Sequence, residues 1–246
     1  MSNEQLGTTR PLPPRLYKYQ SLSPEVLLGL LDRSLWFSAP LDFNDPFDCR
    51  YRVVAEGPSR SQMTLERAKL KADELLEFPK TRSVACFSET PDNLLLWSHY
   101  AASHTGVCLE FDTKSAPFKD AQPVSYTDSF PTVDYPSLEA QTDDQLCDSL
   151  VLQKAESWSY ELEWRIVRRE AAHSEEYLPR ALTGVYFGLA QPYRKRLSIA
   201  QLAMTRSSPE LYEMKHDGSG FGIVREHVDL DGIKQMAEEL EPRNTC

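Results

Sequence analysis

Leu35-Trp36-Phe37-Ser38-Ala39-Pro40-Leu41-Asp42-Phe43-Asn44-Asp45-Pro46-Phe47-Asp48-Cys49 opens as a strand and breaks into a turn. The turn gathers Asn44, Asp45 and Asp48 with Pro40 and Pro46 among aromatic side chains. Few packing requirements concentrate so many special residues in one place, so the stretch is expected to wall a site. Asn44-Asp45-Pro46 supports two readings, and both stay open here. Asn and Asp side chains stabilise turns by bonding nearby backbone amides, and proline fixes the following φ. The same side chains also suit ligand contact.

Before this stretch, Arg15 to Tyr19 alternates as a short strand. Ser23 is placed as an N-cap with Pro24 at the first helical position and Glu25 in the first turn, and the helix ends near Arg33. After it, Arg50 to Ala55 reads as a short strand and Thr64 to Phe78 as a covering helix. Arg82 to Ser88 is a buried strand. Asp92 caps a helix over Asn93 to Ala102, and Gly106 to Asp112 is a strand with Val107, Leu109 and Phe111 on one face. Pro123 to Thr127 is a strand, Asp128 to Pro136 a loop, Ser137 to Glu156 a helix, Ser159 to Arg168 a strand and Leu182 to Phe187 a strand. Pro192 to Met204 is a helix, Leu211 to Glu226 a hairpin around Asp217-Gly218-Ser219-Gly220, and Asp229 to Leu240 a last helix. The irregular mixture is α+β. A flexible segment over 1–14 precedes a single globular domain over 15–240.

With 246 residues, 41% hydrophobic and 10% aromatic, the chain can bury a full core. It has no apolar run near the ~20 residues a membrane span needs, and its polar, proline-rich start lacks the apolar centre of a signal peptide. Five cysteines without paired spacing suit free thiols. A cytoplasmic protein is expected. The net charge of -10 argues against strong sequence-independent binding to nucleic acid. The basic clusters Arg165, Arg168, Arg169 and Arg194, Lys195, Arg196 are read as solvated surface.

Tyr160-Glu161-Leu162-Glu163-Trp164-Arg165-Ile166-Val167 carries the most chemical information. Period two puts Tyr160, Leu162, Trp164 and Ile166 on one face and Glu161, Glu163 and Arg165 on the other. Two carboxylates ~7 Å apart along a strand repel. Either one is held protonated or a cation sits between them, with Arg165 as the candidate; a solvated ladder of ion pairs is the plainer alternative. Trp36, Trp97, Trp158 and Trp164 all fall near these windows, and one shared hydrophobic cluster would draw the windows together. His99 and His104 are five apart and do not share a helical face, so no metal site is assigned. There is no Gly-rich phosphate loop and no nucleophile elbow.

Taken together, several windows resemble a bacterial family, the domain of unknown function numbered 2971. They are Leu16 to Tyr19, Leu35 to Ser38 with Phe43 to Asp48, Cys86-Phe87-Ser88, Trp97 to Ala101 with His104-Thr105-Gly106, and Trp158 to Ile166. A more distant resemblance, to ADP-ribosyltransferases, rests on motif order: a first strand, a middle strand ending Phe-Ser before a short helix, and a late Glu-x-Glu. It implies a split or strongly bent mixed sheet around an NAD-holding cleft, with peripheral helices. That family usually has His or Arg at the first-strand position, where this chain has Lys18. The resemblance implies Glu163, with Glu161, as the catalytic carboxylates. It also implies NAD contacts from Lys18, Tyr19, Ser38, Asn44, Asp45, Phe87, Ser88, Trp97 and Tyr100.

The leading expectation is therefore an NAD-dependent ADP-ribosyltransferase-like protein of bacterial defence or a toxin system, acting on a protein or nucleic-acid acceptor. A metal-dependent phosphodiesterase or nuclease built on Asp45, Asp48, Glu110 and Glu161 is the second. A non-catalytic sensor or interaction domain is the third.

Overall fold

The computed structural model describes residues 10–54, 70, 80–134 and 143–240. The expected helix over Thr64 to Phe78 (Leu70 apart) and the first nine residues lie outside them. The chain is α+β and divides into two compact units, each assembled from separate segments. One contains Trp36–Ala85 and Gln122–His173 with the chain start to Pro11; the other contains Leu12–Leu35, Cys86–Ala121 and Ser174–Cys246. They are called the first and second unit below. Among the described residues no helix is long and apolar enough to cross a membrane.

The second unit carries a large mixed sheet. Its strands are β1 (Arg15–Gln20), the end of β4 (Ser83–Ser88), β5 (Val107–Asp112), β12 (Leu182–Phe187), β13 (Glu210–His216) and β14 (Ile223–His227). They run in the order β14-β13-β12-β5-β1-β4. β1 pairs antiparallel with β5, Tyr17 opposite Glu110, and with β4, Tyr17 opposite Ser88. β12 and β13 are parallel. Alternation along these strands builds two buried faces. Leu16, Val107, Leu109, Phe111, Val185 and Phe187 line one. Tyr17, Cys108, Tyr186 and Met214 line the other, packed with Trp97 and Ala101. Trp97 is fully buried and its indole N–H donates to Pro91 O at 2.7 Å. Burying ~150–250 Å² of such a ring is worth about 4–6 kcal/mol as an upper estimate.

The helices of this unit form where their ends are chemically specified. In α1 (Pro24–Asp32), Ser23 Oγ accepts from Val26 N and Arg33 terminates the helix in the left-handed region, φ 55°. α2 (Leu94–His99) is capped by Asn93, not Asp92, and stops before Ala102 because residues 102–104 all take positive φ. The predicted helices at Pro192 and Asp229 appear as α4 (Tyr193–Met204) and α5 (Leu230–Glu239), which pack on each other, with α1 against α4.

The first unit is built from short pieces. The start of β4 neighbours β10 (Glu163–Arg168), and β10 neighbours β6 (Gln122–Pro123), Arg165 opposite Gln122. β7 (Ser125–Thr127) pairs in parallel with β9 (Gln153–Ala155), and β3 (Arg52–Val54) with β8 (Thr132–Asp134). α3 (Asp143–Val151) covers this unit's core with Leu146, Leu150 and Val151. Apart from these, β2 (Ser34–Phe37) and β11 (His173–Glu176) form a two-stranded sheet whose residues divide between the units.

Several expectations are corrected. The loop Asp128 to Pro136 contains β8, because a three-residue strand leaves too short a pattern to read. The helix expected to reach Glu156 stops at Val151 and is followed by β9. The strand expected from Ser159 begins only at Glu163: Glu156–Glu161 is a 3-10 helix, and Leu162 turns the chain at φ 47°. Trp36 is 54% exposed, so the four tryptophans do not share one buried cluster. Arg165 and Arg196 are buried rather than solvated; Arg196 Nη1 stands 2.7 Å from Glu213 Oε2.

Candidate functional site

The 3-10 turn and left-handed Leu162 swing Glu161 out of line with β10. Glu161 and Glu163 nonetheless converge, because both reach one ammonium. Lys154 Nζ, on β9, donates to Glu161 Oε2 at 2.5 Å and to Glu163 Oε2 at 3.0 Å. Two residues along β10, on the same face, Arg165 donates from Nε to Glu163 Oε1 at 2.8 Å and from Nη2 to Glu163 Oε2 at 2.9 Å. The same guanidinium binds Asp48, Nη1 to Oδ1 at 2.9 Å and Nη2 to Oδ2 at 2.6 Å, and gives a further bond to Val151 O at 2.6 Å. Asp48, Lys154, Glu161, Glu163 and Arg165 are all at least nine-tenths buried in the first unit.

Each buried charge loses several kcal/mol of hydration, so such a cluster persists only when nearly every charge is paired and bonded. Here the bonds are charge-assisted and partly bidentate, the strongest class. Rings cover the cations: Arg165 lies 5.2 Å from the Phe43 centroid and Lys154 5.0 Å from that of Trp158. Burial alone would lower the Lys154 pKa, but Glu163 and Glu161 outweigh it and raise it. The Cys49 thiol, beside Asp48 and Arg165, is pushed up chiefly by burial and is held as the neutral thiol. Among the described residues the cluster joins three carboxylates, Asp48, Glu161 and Glu163, to two cations, Lys154 and Arg165.

Of the two arrangements open for the paired acids, a cation between them is the one present, and it is Lys154. Arg165 holds Glu163 and Asp48. Lys154 was missed because it falls in a segment that reads as helix. A signal existed: it is the sole lysine between Lys119 and Lys195, just upstream of Glu161 and Glu163.

Asp45 behaves as a turn former, its Oδ1 accepting from Phe47 N at 2.9 Å. Ser38 joins Val84 through a pair of backbone bonds. Asn44, in the same turn, shares the first unit with them.

The other expected contacts lie in the second unit, and strand alternation separates them. Lys18 Nζ lies 5.3 Å from the Phe87 ring centroid and donates to Cys86 O at 3.2 Å. Tyr19, Ser88 and Trp97 belong to the opposite sheet face. Tyr19 Oη donates to Thr90 O at 2.7 Å and its ring meets Trp97 edge-on at 5.3 Å. Burial pushes the Tyr19 phenol well up. Ser88 Oγ accepts from Thr90 N at 3.4 Å. Tyr100 follows α2 as its C-cap. Among the described residues no group of three or more His, Cys, Asp or Glu side chains is arranged to hold a metal ion.

The class is thus an α+β protein with a buried ion cluster on β10. Residues 96–166 match the model of a family described as "Protein of unknown function (DUF2971)", a stretch that includes Lys154, Glu161, Glu163 and Arg165. No curated protein and no solved structure matches the chain.

Proposed function

We propose that the protein acts on NAD as an ADP-ribosyltransferase, with Glu163 as the carboxylate that stabilises the developing ribosyl cation. In this reaction the bond from ribose C1′ to the nicotinamide nitrogen breaks. Its electron pair neutralises the pyridinium, and a nucleophile of the protein or nucleic-acid acceptor bonds to C1′ and loses its proton. An oxocarbenium-like sugar needs negative charge fixed in place before it forms.

The observation that carries the reading is the fixation of Glu163 at the head of β10, where Lys154 and Arg165 hold it. Motif order supports it further. Phe87-Ser88 ends β4, which pairs with β1, the strand of Lys18, in the second unit. No specific observation favours the metal-dependent alternative. Bacterial defence or a toxin system remains the setting that fits this chemistry.

The test is nicotinamide release from NAD by the full chain in the presence of bacterial extract. Wild type is expected to release it. Glu163→Gln is expected to lose about 10²–10³-fold in rate while keeping its circular dichroism and an NAD-induced rise in melting temperature. A folded Glu163→Gln protein with full turnover would overturn the role of Glu163.

A further inference from the structure

The second unit contains an open pocket of about 840 Å³ that no residue of the NAD reading lines. This is the size of small-molecule sites. Its floor is the sheet face carrying Glu110, Thr183 and Tyr212, and its rim comes from the turn Pro179–Ala181 and the segment 204–208 after α4.

Two carboxylates line it, and Glu210 Oε2 stands 2.8 Å from His227 Nε2. Glu110 is fully engaged: Oε1 accepts from Arg15 Nε at 3.2 Å and Thr183 Oγ1 at 2.7 Å, and Oε2 from Tyr186 Oη at 2.6 Å. Its charge is therefore covered from below. Arg180 and Arg206 are different. Both line the pocket, both are exposed, and among the described residues neither has a hydrogen-bond or ion-pair partner. Ser207, which also lines the pocket, is 7% exposed and its buried Oγ has no partner. An unpaired buried hydroxyl costs ~1–3 kcal/mol unless something satisfies it. A rotation about its single side-chain bond can supply that hydroxyl to an occupant.

Two free guanidinium forks and an orphan hydroxyl call for an occupant rich in acceptor oxygens. Guanidinium matches phosphate in bidentate geometry. In a chain of net charge -10 a general attraction for anions does not account for this arrangement; the selectivity must be local. The geometry points to a binding site for a small organic phosphate, of mononucleotide size, held at its phosphate by Arg180 and Arg206 with Ser207 beneath and Tyr212 walling the organic part. The site is independent of the NAD chemistry assigned to Glu163.

Calorimetric titration of the full chain with AMP, pyrophosphate and adenosine tests this. AMP and pyrophosphate are expected to bind, and adenosine at least tenfold more weakly than AMP. Arg180→Ala and Arg206→Ala are each expected to weaken AMP binding by tenfold or more, and Ser207→Ala by a smaller factor. Arg180 and Arg206 are exposed, and both arginine variants are expected to keep the wild-type melting temperature. Failure of both AMP and pyrophosphate to bind at millimolar concentration, or unchanged AMP affinity in both arginine variants, would overturn the site. Glu163→Gln separates the two readings: AMP affinity should be unchanged in it, whatever becomes of nicotinamide release.

Discussion

Arg165 grips Asp48 through both terminal guanidinium nitrogens, at 2.9 Å and 2.6 Å, across 117 positions of sequence. The pairing ties the turn after β2 to β10 inside the first unit. It is buried on both sides, Arg165 entirely so. A bidentate clasp of this kind fixes orientation as well as distance. Through Asp48, the Phe43 to Cys49 segment holds Arg165 beside Glu163.

Removing one partner strands the other charge where water cannot reach it. Arg165→Met is expected to lower stability by about 3–5 kcal/mol, read as a fall in the midpoint of urea unfolding. Asp48→Asn should cost less, because Arg165 keeps Glu163 and Val151 as partners. In the double variant the losses should not add, since both act on one clasp.

Alkaline pH should expose Lys154. Its folded-state pKa is raised above the ordinary 10.5 by Glu163 and Glu161, which overcome burial. A raised pKa contributes stability that is complete below the unfolded value and disappears as pH climbs through the folded one. Tyr17 acts in the same direction, pushed from 10.0 to about 12 by burial first and by Glu110 second. The stability difference between wild type and Lys154→Met should therefore be constant from pH 7 to about 9.5 and shrink above pH 10.5. Thermal melts across that range measure it; a difference that grows with pH would contradict the pairing.

Leu162 sits at φ 47° and the residue is 39% exposed. A left-handed conformation costs a non-glycine residue roughly 1–2 kcal/mol, and little packing is lost by trimming this side chain. Leu162→Gly is expected to stabilise by up to about 1 kcal/mol after glycine's greater chain entropy is counted. Leu162→Val should destabilise, because β-branching tightens the same restriction. Denaturant midpoints for the pair decide the sign.

Gly188 is held where no side chain fits. A Cβ there would stand 2.2 Å from His104 O and 2.7 Å from His104 C, both backbone atoms. Gly188→Ala is expected to cost at least about 2 kcal/mol, since backbone cannot step aside. At Gly220 the nearest atom to an added Cβ is Asp217 Oδ2 at 3.8 Å, so Gly220→Ala should lie within about 0.5 kcal/mol of wild type. Melting temperatures of the two variants give the contrast.

Elements whose signals are local could be read directly from the residues. Ser23 with Pro24, Pro192, Asp229 and the Asp217 to Gly220 hairpin all work through neighbours within a few positions, and each appears where expected. Elements defined by a distant partner could not. β8 and β9 are three-residue strands, too short to show a period, and only their partners make them strands; those partners, β3 and β7, fall within the strands expected over Arg50 to Ala55 and Pro123 to Thr127. The Glu161-to-Arg165 segment failed for another reason. Alternation predicted one continuous strand face, but the ion pair to Lys154 and the bond from Leu162 N to Ser159 O favour a 3-10 turn. The charges of the site were visible one by one. Which cation meets which carboxylate is a property of the fold.

The most direct measurement is single-turnover nicotinamide release from NAD by wild type, Glu163→Gln and Glu161→Gln, each checked for a cooperative melt. The expected result is release by wild type and a loss of about 10²–10³-fold in folded Glu163→Gln. Release that continues undiminished in folded Glu163→Gln, or that never occurs in wild type with any bacterial extract, would contradict the assignment of NAD chemistry to this carboxylate.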